Sequence, residues 1–161
     1  KAIRRQRQMC IRDSIETIHA ATDLLAEAKL SPELRNEALY YRAKAYAKQK
    51  ADKKALEDYR ELAKDTRNSY GAEAKYQVAQ SLYDAKEYAA AEKELLNYIE
   101  QSTPHAYWLA RSFVLLSDVY HATGKDLDAR QYLLSLQQNY QGNDDIQSMI
   151  ESRLHKLKVE N

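Results

Sequence analysis

One spacing recurs three times along this chain. A small residue is followed three positions later by a bulky one, twelve positions later by an alanine, and sixteen positions later by a large apolar residue. The copies are Ala43, Tyr46, Ala55 and Tyr59; Ala79, Leu82, Ala91 and Leu95; and Ser117, Tyr120, Ala129 and Leu133. Their anchors lie 36 and then 38 residues apart, a period that belongs to stacked two-helix units rather than to one undivided core. The small residue and the bulky one share a face of a first helix, and the alanine falls on a second helix after a turn. Antiparallel helices approach to about 8–10 Å only where one surface is nearly bare. Ala43 with Ala55, Ala79 with Ala91, and Ser117 with Ala129 supply those bare spots. The second helices carry their apolar stripe onward through Leu62, Tyr98 and Leu136. A plain antiparallel bundle is the alternative, but it has no reason to keep a twelve-residue small-to-small spacing three times.

Composition agrees with an all-α chain. It has only 3 Gly and 2 Pro in 161 residues, and apolar residues recur at three and four rather than in alternation. Thirteen tyrosines stand against one Phe and one Trp, which suits thin layers where a ring is buried while its hydroxyl reaches water or a neighbouring helix. Five basic residues (Lys1, Arg4, Arg5, Arg7, Arg12) crowd the first fourteen positions, and the remainder carries a net charge of −3. That balance argues against a nucleic-acid surface, and no apolar run reaches the roughly 18–20 residues of a membrane span. Cys10 is the only cysteine, so no internal disulfide is possible.

The repeated pattern resembles the tetratricopeptide repeat, in which a helix pair carries a small residue at its eighth position, an aromatic at its eleventh and an alanine at its twentieth. The third copy fits best, with Ser117, Tyr120, Gly124 in the turn, and Ala129. Lys50 and Lys86 replace that turn glycine in the first two copies, and the period is longer than the family's, as in repeats of bacterial envelope proteins. The resemblance implies a right-handed α-solenoid of antiparallel helix pairs, a non-catalytic scaffold for protein partners, and a place in a larger bacterial protein at the periplasm or cell envelope.

The expected organisation follows the breaks. Residues 1–14 are read as a non-native or disordered leader, because Arg5 to Ser14 (RQRQMCIRDS) looks like translated adapter sequence. Residues 15–30 form a partial repeat, its second helix only. Units follow at 31–68, 69–103 and 104–142, and residues 143–161 form a C-terminal capping helix, with a docking helix for a following domain or a second copy as the alternative. Within the units, helices are expected over 32–49, 52–66, 70–85, 87–101, 104–123 and 126–139. Ser31 with Pro32, and Ser102–Thr103 with Pro104, read as helix starts; Asp144 or Asp145 caps the last helix, and Gly124 and Gly142 read as stops.

No catalytic constellation stands out. His19, His105, His121 and His155 are far apart in sequence and none has a metal-ligand spacing with another His, Cys or Asp; no glycine-rich phosphate loop is present. No enzyme activity, metal or cofactor is expected. In the repeat family first helices line the concave side, with the second, fifth, ninth and twelfth positions facing it. The candidate groove is therefore Glu37, Tyr40 and Lys44 (with Ala47), then Glu73, Tyr76, Gln80 and Tyr83, then Arg111, Val114, Asp118 and His121. Rigid tyrosine rings in such a groove suit an extended or helical peptide; the competing use of Tyr40, Tyr76 and Tyr83 is to cover the next repeat. The carboxylate clamp of chaperone-tail-binding relatives is set aside, since only Arg111 matches it among Tyr40, Lys44, Gln77, Arg111 and Leu115. Two other readings are a self-associating structural array and the regulatory arm of an enzyme or transcription factor.

Overall fold

The computed structural model describes residues 2–101 and 103–159, and among them every regular element is an α-helix. The elements are α1 (Ala2–Leu25), α2 (Pro32–Lys48), α3 (Asp52–Leu62), α4 (Ser69–Asp84), α5 (Tyr88–Glu100), α6 (Ala106–Ala122), α7 (Asp126–Asn139) and α8 (Ile146–Val159). Each packs on its neighbours in sequence. In addition α2 touches α4, α4 touches α6, and α6 touches α8, whereas no two odd-numbered helices meet among the described residues. The result is a repeating stack with an even-numbered layer in continuous contact and an odd-numbered layer spread apart.

The small residues sit where the spacing requires. Ala43, Ala79, Ala91 and Ala129 are completely buried, and Ala55 and Ser117 nearly so. Tyr59, Leu95 and Leu133 fill the core beside them. The hairpin turns are copies of one another. In each, a residue with left-handed backbone follows the first helix: Lys50 (φ 57°), Lys86 (φ 60°) and Gly124 (φ 78°). The amide of the next residue donates to the carbonyl of the bulky motif residue: Ala51 to Tyr46 (2.9 Å), Glu87 to Leu82 (2.9 Å), Lys125 to Tyr120 (2.7 Å). The left-handed residue donates one bond inside it, to Ala47, Tyr83 and His121. This is the Schellman closure, which satisfies the orphan carbonyls at a helix end. Lysine in the left-handed region carries a Cβ penalty that glycine does not.

Between units the chain turns on other devices. Ser31 accepts from the Leu34 amide (3.3 Å) with Pro32 in the first turn, as expected, and Asn68 accepts from the Gly71 amide (2.8 Å) to start α4. Gly71 has no room for a side chain: a Cβ would lie 1.8 Å from the Asp65 carbonyl oxygen. Asp144 caps α8 through the Ile146 amide at 3.0 Å.

Several expectations differ from what is observed. Residues 2–14, read as a non-native or disordered leader, belong to the continuous helix α1; they are rich in Arg and Gln, which are good helix formers, though Ser14 alone among them is buried. That helix ends at Leu25 rather than 30, and α3 at Leu62 rather than 66. Helix α6 begins at Ala106 instead of 104 because the Thr103 hydroxyl is used elsewhere: it donates to the Thr66 carbonyl of the preceding unit (3.1 Å) and accepts from the His105 amide (3.3 Å). Ser102, the other residue read as a cap there, lies outside the described residues, as do Lys1 and residues 160–161.

The turn geometry makes a direct forecast. Lys50→Gly and Lys86→Gly should each stabilise the chain by about 0.5–1 kcal/mol, and Gly124→Ala should destabilise it by about 1 kcal/mol. Urea unfolding followed by circular dichroism measures all three, and a loss of stability in the lysine variants would contradict the shared closure.

Candidate functional site

The eleven candidate residues lie on α2, α4 and α6 of the even-numbered layer, and two pairs of equivalent positions show what they do. The fifth position of one unit meets the second position of the next. Tyr40 faces Glu73: burial first, then a hydrogen bond from this phenol to the carboxylate, push the Tyr40 pKa far above its usual range. Tyr76 accepts from Arg111 Nη2 at 2.9 Å. In the third unit the fifth position is Val114, which is buried. A ring of the following helix backs each tyrosine, Tyr70 against Tyr40 with centroids 4.7 Å apart and Trp108 against Tyr76 at 5.6 Å.

Arg111 is the best-connected side chain in this layer. Its guanidinium lies 4.8 Å from the Tyr76 ring centroid and 5.9 Å from those of Tyr107 and Trp108. It also donates to the Tyr107 hydroxyl (3.0 Å), which donates to Asp145 (3.0 Å). On the other side the Tyr76 hydroxyl donates to Gln80 Oε1 (2.9 Å), whose amide donates to Asp84 (2.8 Å). A planar guanidinium flanked by rings and hydrogen-bonded at two corners is held rigidly. This chain of contacts joins α4, α6 and the start of α8.

The other candidates divide by exposure. Lys44 is exposed and its ammonium donates to the Tyr40 hydroxyl (2.9 Å). Tyr83 is half-buried; burial raises its pKa, with Asp118 the next cause. Asp118 accepts two bonds from Arg153 of α8 (3.2 and 3.3 Å), and His121 Nδ1 lies 2.8 Å from Asp126. Tyr76 and Val114, read from the sequence as groove-facing, are only 5% and 3% exposed. They pack between units and offer a partner no surface, because the next first helix lies over them. Glu37 is exposed on the opposite, α1 side of α2. What remains along the layer is a strip of the exposed Lys44 and half-exposed groups: Tyr40, Glu73, Gln80, Tyr83, Arg111, and Asp118 with His121.

Sequence reading missed a partly buried ion pair between α2 and α3. Arg42 binds Asp58 through Nε (2.8 Å) and Nη2 (2.7 Å), and its remaining nitrogen donates to Thr22 (3.3 Å), so one guanidinium ties α1, α2 and α3 together. The sixteen-residue separation of Arg42 and Asp58 equals the motif's small-to-apolar step, which is the one signal that places them on facing helices. Among the described residues no cluster of three or more His, Cys, Asp or Glu is placed to hold a metal, and no helix is long and apolar enough to cross a membrane. No family model, no curated protein and no solved structure matches the chain.

Alkaline titration probes the packing at the first inter-unit contact. Tyr59 is buried and its pKa is pushed up from 10.0 to about 12, first by burial and then by the charge of Glu73. The folded form therefore keeps a proton that the unfolded form releases, so stability holds below pH 10 and falls between pH 10 and about 12. Tyr59→Phe should remove on the order of 2 kcal/mol of that fall, read from unfolding curves taken across the interval. An unchanged slope would show that Tyr59 does not contribute.

Proposed function

We propose that the chain is a non-catalytic protein-interaction scaffold: a solenoid of tetratricopeptide-like helix pairs whose inner strip receives a peptide or helix of a partner protein. The observation that carries the reading is the asymmetry of the two layers. Helices α2, α4, α6 and α8 run in contact while the odd-numbered helices stand apart, a geometry that curves the stack toward the even-numbered side. Along that side lie Lys44, Tyr40 and Glu73, then Gln80, Tyr83 and Asp118, charged and neutral polar groups interleaved with phenol rings. Groups already fixed by hydrogen bonds lose little further freedom when a ligand arrives, and phenols give contact area with few torsions to freeze. A right-handed superhelix and a role in assembly at a bacterial envelope belong to the same reading.

The test uses the exposed members of the strip, because replacing buried Tyr76 would unfold the contact it makes. Selection of a displayed peptide library on the 161-residue chain should enrich a ligand class, and Lys44→Glu combined with Tyr83→Ser should weaken it by about tenfold or more while leaving the helical spectrum intact. No enrichment, or ligands indifferent to both substitutions, would reject the strip as the binding surface.

A further inference from the structure

The hairpin edge of the stack carries a charge pattern that its packing does not require. Lys44 and Lys48 lie at the end of α2, Lys50 makes the turn, and Lys53 and Lys54 open α3, with Asp52 the one acid among them, a net charge of +4 over residues 44–54. All five lysines are exposed, and none forms an ion pair with a carboxylate among the described residues. The repeat supplies its own comparison at residues 80–90 and 118–128. There Lys86 stands against Asp84 and Glu87, a net of −1, and Lys125 against Asp118, Asp126 and Asp128, a net of −2. The equivalents of Lys48, Lys50, Lys53 and Lys54 are Asp84, Lys86, Ala89 and Ala90, then Ala122, Gly124, Leu127 and Asp128. All eight are exposed although a helix pair is stacked ahead of each hairpin. Exposure of these four lysines is therefore a property of the hairpin and not of its place in the chain.

These lysines cost the fold stability. Lys44 and Lys48 are like charges one turn apart on α2. Lys53 and Lys54 sit in the first turn of α3, where the helix dipole disfavours cations; α7 has Asp126 and Asp128 in its first turn. Lys50 holds a left-handed backbone (φ 57°) that glycine adopts without a Cβ penalty. Nothing on the α1 side offsets the charge. Helix α1 runs on past the Ile11 carbonyl, which accepts from Gln49 Nε2 (3.2 Å), and its Arg4, Arg5 and Arg7 add the same sign. The Lys44 and Lys54 ammonium groups rest 4.8 Å and 5.7 Å from the ring centroids of Tyr40 and Tyr46, contacts that place them without neutralising them.

We infer that the α2–α3 hairpin edge docks a short acidic segment, a run of Asp and Glu, of a partner protein. Charge complementarity selects the class of ligand, and the neighbouring hairpins limit its length. Asp84 and Glu87, then Asp126 and Asp128, continue the same edge with the opposite sign, so a nucleic acid or an anionic bilayer long enough to pass them is repelled there. A short acidic run stays within the lysine hairpin. Ammonium groups on flexible stems suit it, because they meet carboxylates as point charges and impose no fixed fork geometry. This surface goes beyond the inner strip and shares only Lys44 with it.

The probe is an acetylated peptide of alternating Asp and Glu, titrated at neutral pH and low salt into the isotope-labelled 161-residue chain and followed by NMR. Amides of residues 44–54 should shift and saturate with a Kd below about 1 mM, while those of the 84–90 and 125–128 segments stay in place. Lys50→Gly combined with Lys53→Glu should weaken binding by about fivefold or more. Both changes relieve a cost named above, so this variant should melt no lower than the native chain, and the loss cannot come from unfolding. Lys86→Gly, the same turn position one unit on, and Tyr83→Ser on the strip should leave binding unchanged. A single-stranded oligonucleotide of equal charge and phosphatidylserine vesicles should bind more weakly than the peptide. No saturation up to about 1 mM, or equal binding to the double variant, overturns the proposal. So does tighter binding of the oligonucleotide or the vesicles at residues 44–54, which would give the edge to a nucleic acid or a membrane.

Discussion

Everything in this fold depends on how closely two helices can approach at one point. Where Ala43 and Ala55, Ala79 and Ala91, and Ser117 and Ala129 are buried, the helix backbones lie close, and a larger side chain at any of them would push the pair apart. Close approach shortens the connection, and a short connection needs the same left-handed residue in each hairpin. That is why Lys50 and Lys86 adopt a backbone that suits Gly124 better: the cost of the conformation is local, about 1 kcal/mol, while spreading the pair would forfeit the contacts of an entire interface.

Once the pairs are fixed, stacking them determines where polar groups can be. Each first helix must meet the next, and the first two contacts use the same two positions. The chemistry differs between them: a phenol meets a carboxylate at Tyr40 and Glu73, and a phenol meets a guanidinium at Tyr76 and Arg111. The geometry tolerates both because the positions are set by backbone packing and only filled by side chains. Residues on the inner face consequently serve two purposes. Those that bridge units stiffen the array, and the exposed Lys44 is held against one of them, Tyr40.

Much of this was legible before any coordinates. The three-, twelve- and sixteen-residue steps placed the small residues and the core, the Ser31–Pro32 pair marked the start of α2, and the lysines at the turn position were visible as departures from glycine. What could not be read is which neighbour covers a given face. The sequence places Tyr76 and Tyr83 on the same helix at a spacing of seven, nearly two turns, yet one is buried under α6 and the other is not. Trp108 and Arg111 of α6 lie against Tyr76, and a single helix's periodicity carries no information about which neighbour does so. Gly71 was equally silent, since its requirement comes from the carbonyl of Asp65 and not from its own backbone angles. The helical order of residues 2–14 is not read from the sequence because Arg5 to Ser14 looks like translated adapter sequence, a likeness that outweighs their plain helix propensity. Arg42 and Asp58 went unremarked because charged residues are ordinarily solvated, and only the facing helix turns them inward.

A stack in which each pair touches only its neighbours should break locally, and a single undivided core should not. Native-state hydrogen exchange on Ala43→Leu measures this directly. The added bulk should spread the first pair, so amides of α1, α2 and α3 lose protection while those of α6, α7 and α8 keep nearly all of theirs. Loss of protection throughout the chain, in proportion to a single global unfolding, would contradict the repeat as the organising principle of the molecule.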